Sequence, residues 1–444
     1  MSRSDSLRSA NLLKARKKNT RFSVEAERSS FNFIVTAVNN HLIDHLNERI
    51  SNKRKQKLVP VVKEVIQEKG FYVPGITLDA LSEKVTEALT GYEKHHHLIA
   101  NKDISNIVIH DYRRTYIMEN LKWRPLNISF DSPESFNKYI ERVIRRNGGK
   151  YSKAFPMAKV EDMDYNLRIR AVGYDIAPDS PELIIRRLSS EVLSGEKLGY
   201  AMSPALEEFL RFCVNAGFNI GIAGTYGSGK TTAMGTLLSW IPKNKHVGLI
   251  QSSNEIQKVH PFMSRRMTRE IVGEEGRKIV EADLLEFAKQ ESYDVLTLGE
   301  FLNEAAYVML HMLQQGIMSV FTYHANSPKE AINSYIYMVQ MANESRYSNE
   351  ELINQSAQYN DIMLIMDRLR VRDVVQFTGR VVGGMPEYQS LWEFKINQET
   401  RYELKGEWAK HKTPLCEKLR RKAELKGIPV PPEYIERIVV GGLI

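Results

Sequence analysis

The residues best suited to chemistry form one run, Gly224-Thr225-Tyr226-Gly227-Ser228-Gly229-Lys230-Thr231-Thr232. Glycines at this spacing let successive backbone N–H groups turn inward around phosphate groups. The Lys230 ammonium is placed to reach β- and γ-phosphates, and the Thr231 hydroxyl can ligate Mg²⁺. The whole run therefore predicts a binding site for a nucleoside triphosphate.

The elements on either side of this loop support that prediction. Residues 218–223 form an apolar run typical of a buried strand. Met234, Leu237 and Leu238 then recur at helical spacing before Pro242. Strand, loop and helix follow in the order that the motif requires, which makes a chance glycine-rich turn the weaker interpretation.

Downstream of the loop, predicted strands and helices alternate regularly. This alternation predicts an α/β domain with a parallel sheet that is covered on both faces. Ligands of such sheets gather at the carboxyl ends of the strands. We therefore expect the loop, Glu300 and His324 to lie on one edge, around one nucleotide. The predicted strands are 247–251, 294–298 and 319–323, and the predicted helices are 275–290 and 302–315.

Two side chains on this edge are candidates for catalysis. Glu300 follows a hydrophobic strand and can orient the attacking water or act as its base. The alternative is a surface glutamate at a strand end. His324 can sense a γ-phosphate through a ring nitrogen, and a structural histidine that caps a strand is an equal alternative.

The segment before the loop has a different character. Mixed helical and strand patterns over residues 59–188 predict a smaller α+β domain. Residues 133–146 read as a helix with Ser132 as its N-cap. His95, His96 and His97 lie in a polar stretch and are predicted at the surface.

The net charge of +8 is concentrated at the start of the chain. Residues 1–58 hold 13 Lys+Arg and 5 acids, and the remaining residues carry equal numbers of both. Apolar residues at helical spacing from Phe31 to Ile50 predict an amphipathic helix in this basic head. A surface helix is one interpretation, and docking to an anionic membrane or an acidic partner is the other.

Length and composition predict a cytoplasmic protein of two or three domains. The chain has 444 residues and ordinary hydrophobic and charged content. No apolar run approaches the ~18 residues of a membrane span, and no signal peptide is visible. Cys213 and Cys416 are far apart and fit incidental thiols better than a disulfide or a metal site.

Taken together, these motifs resemble the ring-forming secretion ATPases of type II and type IV secretion, most closely their tight-adherence pilus and type IV secretion branch. The resemblance extends from about residue 80 to about residue 400. It rests on the order of the segments Ala88–Tyr92, Leu167–Val172 and Ile184–Arg187, the phosphate loop, Gly299-Glu300, and His324–Pro328.

The resemblance implies a RecA-like P-loop motor domain at 204–400, preceded by a linker at 189–203. The composition of residues 401–444 by itself predicts a charged tail with a solvated surface helix. The resemblance also implies a hexamer that binds ATP and Mg²⁺ between its domains, with Glu300 acting on the metal indirectly. Arginines of the N-terminal domain would complete the site; the matching candidates are Arg168, Arg170, Arg186 and Arg187. The implied partner is a platform protein at the cytoplasmic face of a bacterial inner membrane, with no specific nucleic acid.

The sequence also departs from this family pattern. Where the family carries paired acids, the chain reads Gln251-Ser252-Ser253-Asn254-Glu255, so only Glu255 matches, and Leu302 replaces an expected arginine. The first hypothesis is an active ATPase motor for secretion or pilus assembly. The second is a slow or hydrolysis-deficient, nucleotide-gated assembly subunit. The third is a nucleic-acid translocase.

Overall fold

The computed structural model of the chain separates into two compact units, Met1–Leu188 and Ser189–Ile444. Each unit has its own β-sheet and its own hydrophobic core. No helix among the described residues is long and apolar enough to span a bilayer. The structure describes part of 31–42 and the ranges 55–90, 92–119, 122–188, 192–269, 278–301, 303–341, 347–400 and 403–435.

The first unit begins with a small cluster of helices. Helices α1 (Lys55–Glu68) and α2 (Leu78–Thr90) pack against each other through buried aliphatic side chains. Ile34, Val38 and Leu42 lie in upstream helical residues and are buried in the same cluster.

This packing changes the interpretation of the predicted basic head. The described part of its apolar stripe is covered within the unit, so it does not form an exposed face for a membrane. The later members of the stripe, Leu46 and Ile50, lie outside the described residues.

The rest of the first unit is an antiparallel sheet packed on a helix. The strand order is β3-β2-β1-β6-β5-β4. Because side chains alternate across a strand, one face of the sheet is apolar and joins the core. The strands are β1 (Ile104–Asp111), β2 (Arg114–Glu119), β3 (Lys122–Leu126), β4 (Met157–Asp162), β5 (Leu167–Val172) and β6 (Glu182–Arg187).

Two helices complete this unit, the short α3 (His96–Ala100) and α4 (Pro133–Arg146). The Ser135 backbone N–H donates to the Ser132 hydroxyl, and the Ser135 hydroxyl in turn accepts from the Ser132 N–H. This reciprocal cap confirms the predicted start of α4. The predicted apolar stripe of the helix is buried in the core.

His95 is a correction to the predicted surface histidines. Its side chain is fully buried, with ring centres 5.6 Å from Phe130 and 5.5 Å from Tyr139. Nε2 lies 3.2 Å from the Thr115 hydroxyl. Burial, followed by the charge of Lys94, lowers the pKa of His95 to about 3. The residue is therefore a neutral core histidine.

The second unit is built on a nine-stranded sheet in the order β15-β14-β13-β12-β7-β11-β10-β8-β9. The strands from β12 to β9 are parallel, and β13, β14 and β15 extend the sheet antiparallel. The predicted parallel α/β sheet is confirmed. The strands are β7 (Ile220–Gly224), β8 (Val247–Gln251), β9 (Met263–Met267), β10 (Val295–Leu298), β11 (Val320–Tyr323), β12 (Ile362–Asp367), β13 (Arg370–Val382), β14 (Met385–Glu399) and β15 (Leu404–Lys410).

Two separate apolar clusters cover the two faces of this sheet. Short runs of fully buried residues in β7, β8, β10 and β11 are what a doubly covered sheet requires. The helices are α5 (Gly195–Ala201), α6 (Pro204–Asn215), α7 (Lys230–Ser239), α8 (Glu281–Ala288), α9 (Asn303–Gln314), α10 (Pro328–Met341), α11 (Asn349–Tyr359) and α12 (Glu417–Leu425).

The C-terminal segment is part of this core, although the sequence suggested a charged tail with a solvated helix. Leu419 and Ala423 of α12 are fully buried in the cluster on one sheet face. Lys418 and Lys422 of the same helix form ion pairs with Asp361, which is 2% exposed. The segment is therefore fixed both by apolar packing and by two ion pairs to one buried carboxylate.

Acid should weaken the first unit through His95. The pKa of this side chain is depressed in the folded state, so the unfolded state binds the additional proton as pH falls below ~6.5. The unfolding free energy of the unit should then fall by up to ~1.4 kcal/mol per pH unit from this group alone. Urea unfolding between pH 7 and pH 4, monitored through hydrogen exchange at β1 and β2, measures this dependence of the unfolding free energy on pH.

A His95→Phe variant should lose this contribution and retain its aromatic contacts. The Thr115 hydroxyl keeps a partner in that variant, since it donates to the Ile128 carbonyl at 3.1 Å. His110→Phe is the matched control, because the His110 side chain is 57% exposed. Equal pH slopes for wild type and His95→Phe would contradict the assignment.

Candidate phosphate-binding site

The phosphate loop turns sharply between β7 and α7. Gly227 and Gly229 have φ angles of +76° and +96°, which residues with a side chain rarely adopt. A Cβ on Gly224 would lie 2.5 Å from both the Ser228 hydroxyl oxygen and the Met366 carbonyl oxygen. The three glycines therefore permit a turn that larger residues would prevent.

Lys230 is the first residue of α7, and its side chain folds back into the loop. Nζ donates to the carbonyl oxygens of Gly224 at 2.9 Å and Thr225 at 2.8 Å. The residue is 9% exposed. Backbone oxygens thus hold a buried ammonium in the loop, where the motif requires a cation for phosphate.

His324 and Glu300 continue from this lysine in a row. The Lys230 Nζ lies 3.4 Å from the His324 Nδ1, and the His324 Nε2 lies 3.4 Å from the Glu300 Oε1. The side chains of His324 and Glu300 are 50% and 43% exposed, so solvent reaches both. Since β7, β11 and β10 are neighbours in the sheet, their carboxyl ends bring the three groups together, as the strand pattern indicates.

The turn that presents Glu300 is tied to the neighbouring strand. The Thr322 hydroxyl donates to the Gly299 carbonyl at 2.6 Å, and the Phe301 N–H donates to the Thr322 carbonyl at 2.7 Å. The buried Phe301 ring stacks on Tyr335 of α10, with ring centres 4.8 Å apart. Both sides of Glu300 are therefore held in place.

Glu255 lies on the other side of the loop. The Thr231 hydroxyl donates to the Glu255 Oε2 at 3.0 Å, and the Ser253 hydroxyl donates to the Oε1 at 3.3 Å. A hydroxyl next to a carboxylate supplies the oxygen ligands that Mg²⁺ prefers.

Gln251 closes the segment that presents Glu255. Its amide is 3% exposed, donates to the Ile256 carbonyl and accepts from the Ile256 N–H, each at 3.0 Å. Gln251 therefore holds a structural amide at the start of the segment that ends in Glu255. Nothing in the sequence indicated this pairing, because both partners are defined only by the folded segment.

A cavity of about 420 Å³ opens beside the first residues of the loop. Gly224, Thr225 and Tyr226 line one side, and Tyr226 is 73% exposed. The other side is formed by residues 324–326 and by one face of α10. Sequence reasoning missed the α10 residues, although Glu330, Asn333 and Ser334 show the spacing of one helix face. Thr232 lies outside this lining, in the first turn of α7.

The candidate arginines of the first unit fall on two faces of its sheet. Leu167, Ile169 and Ala171 of β5 are buried in the core, so Arg168 and Arg170 lie on the opposite face. Arg186 pairs with Arg168 across β5 and β6 and lies on that same face.

Arg187 is the next residue of β6 after Arg186, so its side chain lies on the opposite face of the sheet, and it forms hydrogen bonds within the first unit. Its guanidinium donates to the carbonyl oxygens of Ile99 and Asn101, and its Nε donates to Ile104 at 3.1 Å. Partial burial lowers the pKa of Arg187. These contacts give Arg187 a structural role in joining α3 to β1.

Leu302, which stands where the resemblance leads one to expect an arginine, is outside the described residues.

The model of one protein family, described as "Type II/IV secretion system protein", matches residues 157–384. This match spans just over half of the chain, and it includes the phosphate loop, Glu300 and His324. The chain belongs to the type II/IV secretion system protein family. Membership agrees with the predicted fold class, a RecA-like P-loop α/β domain preceded by a smaller α+β domain.

Two curated relatives of this family member come from Methanocaldococcus jannaschii. Uncharacterized protein MJ0900 is 27% identical over 211 residues, which are 47% of this chain and 38% of the relative. Uncharacterized protein MJ1287 is 29% identical over 132 residues, which are 30% of this chain and 49% of the relative. The chain thus matches less than half the length of each relative.

Among solved structures, the Legionella pneumophila ATPase DotB is 13% identical and has a TM-score of 0.42. The alignment covers 68% of this chain and 78% of DotB. The family assignment rests on the family model.

Removing Arg187 should destabilise the first unit. Arg187→Ala removes three side-chain hydrogen bonds to backbone carbonyls and should cost about 2–4 kcal/mol. Arg170→Ala is the matched control, since Arg170 is exposed, and should change stability by less than ~0.5 kcal/mol. Hydrogen exchange at β1 and β6 in the full chain reports the difference; equal protection in both variants would refute the structural role.

Proposed function

We propose that this family member binds and hydrolyses ATP with Mg²⁺, as an oligomeric motor for secretion or pilus assembly. The observation that carries the proposal is the row Lys230, His324 and Glu300 at the phosphate loop. It combines a cation for phosphate with a solvent-accessible carboxylate, the two groups that triphosphate hydrolysis requires.

The residues of the second unit fit a magnesium nucleotide. Gly224 admits no Cβ, so the loop can close tightly against Ser228 and Met366 in the turn that the motif requires. Thr231 and Glu255 are 3.0 Å apart and would hold the metal side of the ligand. When bound, the magnesium nucleotide supplies the phosphoanhydride bond and the charge of the metal.

Each protein group then has a defined task. The Lys230 ammonium binds phosphate oxygen in exchange for loop carbonyls, which keeps its charge compensated. The Glu300 carboxylate orients a water molecule and accepts its proton. His324 lies between the two and contacts both, so a phosphate bound at Lys230 can shift the position of Glu300 through the imidazole ring.

The wider role is inferred from the family. We propose a hexamer that works at the cytoplasmic face of the cell membrane with a platform protein of a secretion or pilus machine. Family membership supports this role. The basic charge of residues 1–58 is compatible with an anionic membrane surface.

A second candidate is a nucleotide-gated assembly subunit with slow or absent hydrolysis. The specific observation in its favour is the segment 251–255, in which Glu255 is the single acid and Gln251 is a buried amide bonded to the Ile256 backbone. One carboxylate fewer near the loop reduces both metal binding and water positioning.

Steady-state ATP hydrolysis by the full chain separates these candidates. Lys230→Ala should weaken nucleotide binding about 10- to 100-fold, because charge-assisted hydrogen bonds are lost. Glu300→Gln should retain binding and lower kcat by ~10²-fold or more, because the base is lost. Lys245→Ala and Glu286→Gln are surface controls that should behave like wild type. Wild type and Glu300→Gln with equally slow turnover would refute the motor and favour the gated subunit.

The arginines of the first unit form a second, independent test. We propose that Arg168, Arg170 and Arg186 contribute to nucleotide use. Replacing each with glutamine should raise KM for ATP or lower kcat about tenfold. Arg170→Gln should do so at unchanged stability of the first unit, since Arg170 is exposed, whereas Arg168→Gln also removes the cation 4.0 Å from the mostly buried Glu161 carboxylate. Arg124→Gln is a control, since Arg124 is paired with Glu119 on a different strand pair. Normal kinetics in all three variants would remove the arginines from the site.

A further inference from the structure

A two-residue turn between β12 and β13 contacts the phosphate loop. The Leu369 N–H donates to the Ser228 carbonyl at 3.0 Å. Arg368 and Leu369 both have positive φ, 44° and 67°. Hairpin turns of this type normally use Asn-Gly, since other residues are disfavoured there. Two large side chains in a costly conformation indicate that the turn does more than reverse the chain.

The turn also packs directly on the loop. A Cβ on Gly229 would lie 3.2 Å from the Leu369 Cδ2 and 3.4 Å from its Cα. Met366, near the end of β12, is closer still to Gly224, where a Cβ would lie 2.5 Å from the Met366 carbonyl oxygen. The loop is therefore in van der Waals contact with this hairpin at both of its ends.

The hydrogen bond at Ser228 determines a direction within the loop. In a trans peptide, the C=O of one residue and the N–H of the next point in opposite directions. With the Ser228 carbonyl directed at Leu369, the Gly229 N–H must point away from the turn. Gly229 N–H is one of the amides that the motif requires for phosphate.

Arg370 anchors the turn from the other side. Its guanidinium carbon lies 3.7 Å from the ring centre of Tyr200, 4.9 Å from Phe394 and 5.3 Å from Trp408. Nη1 also donates to the Tyr200 carbonyl at 2.7 Å. Cation–π contacts of this kind are strong when desolvated. Tyr200 belongs to α5, so Arg370 ties the turn to that helix.

Arg368 adds a second anchor. Its Nη1 donates to the Thr400 carbonyl at 2.7 Å, and its Nη2 bonds the Glu399 carboxylate at the end of β14. Both flanks of Leu369 are consequently fixed, and Leu369 itself is 44% exposed.

We propose that Leu369 is a positioning residue of the nucleotide site and that Arg370 holds it against the phosphate loop. The inference rests on the proposed nucleotide binding. Leu369 orients the Ser228–Gly229 peptide before the nucleotide arrives, so binding requires less reordering of the loop. Arg370 acts through the turn and does not contact the ligand.

The test uses the full chain and two readouts, amide exchange of the loop without nucleotide and equilibrium binding of ADP. Arg370→Ala should speed exchange at residues 228–230 and weaken ADP binding about tenfold, a difference of ~1.4 kcal/mol. Leu369→Gly keeps the N–H and the positive φ but loses the side-chain packing on Gly229, so it should also speed exchange at residues 228–230 and weaken binding about threefold. Arg370→Lys retains a cation over the rings and should recover part of the loss. Arg380→Ala, on the same strand and exposed, should match wild type.

A positioning role predicts a specific kinetic pattern. KM for ATP should rise in Arg370→Ala and Leu369→Gly, with kcat at saturation changed less than about twofold. Wild-type exchange at 228–230 in Leu369→Gly would overturn the inference, including the case in which Arg370→Ala fails to fold. Failure of wild type to bind ADP would refute the proposed function instead, and the exchange measurement would still decide whether the turn holds the loop.

Discussion

The structure of the second unit depends on the register among β7, β11 and β12, and Asn219 sets it. Its backbone N–H donates to the Asp361 carboxylate at 2.9 Å, and its carbonyl accepts from Ile362 at 3.0 Å. Its side-chain oxygen accepts from the Ser319 N–H at 3.0 Å. Asn219 is 4% exposed, so leaving these groups unpaired would be costly. Locking the amino ends of three parallel strands at one level fixes the level of their carboxyl ends, where the phosphate loop, His324 and the Leu369 turn emerge.

The C-terminal helix α12 helps to hold the same strand register. Asp361, which accepts from Asn219, is also paired with Lys418 and Lys422 of α12. Burial lowers the pKa of Lys418, and the charge of Asp361 opposes that shift. Lys418 also donates to carbonyl oxygens at the end of α11. A buried charge with this many partners is held in one geometry, because losing any one of them leaves a desolvated group.

The sequence predicted the parts that depend on local pattern and failed where distant segments meet. The loop, the strands and the shared edge of Glu300 and His324 follow from motif spacing and from the rule for parallel sheets. Strand parity could also have separated Arg187 from Arg168, since alternation is local. The pairing of Gln251 with Ile256 and the contact of Leu369 with Ser228 could not be predicted, because they depend on folded loops. The charged composition of the C-terminal segment predicts a tail, because it conceals two buried residues of α12.

Charge placement explains why a loop so rich in glycine can still be ready for a phosphate. Before any ligand arrives, the Lys230 ammonium is held by two loop carbonyls, and the Ser228 peptide is held by Leu369. In the proposed function, a phosphate would take the place of these carbonyl acceptors without moving the cation far. Preorganised donors of this kind save the cost of reorienting dipoles at the moment of reaction. The glycines supply the conformation, and the hairpin supplies the rigidity that glycine lacks. Flexibility in the backbone is thus compatible with a fixed site, since the restraint comes from outside the loop.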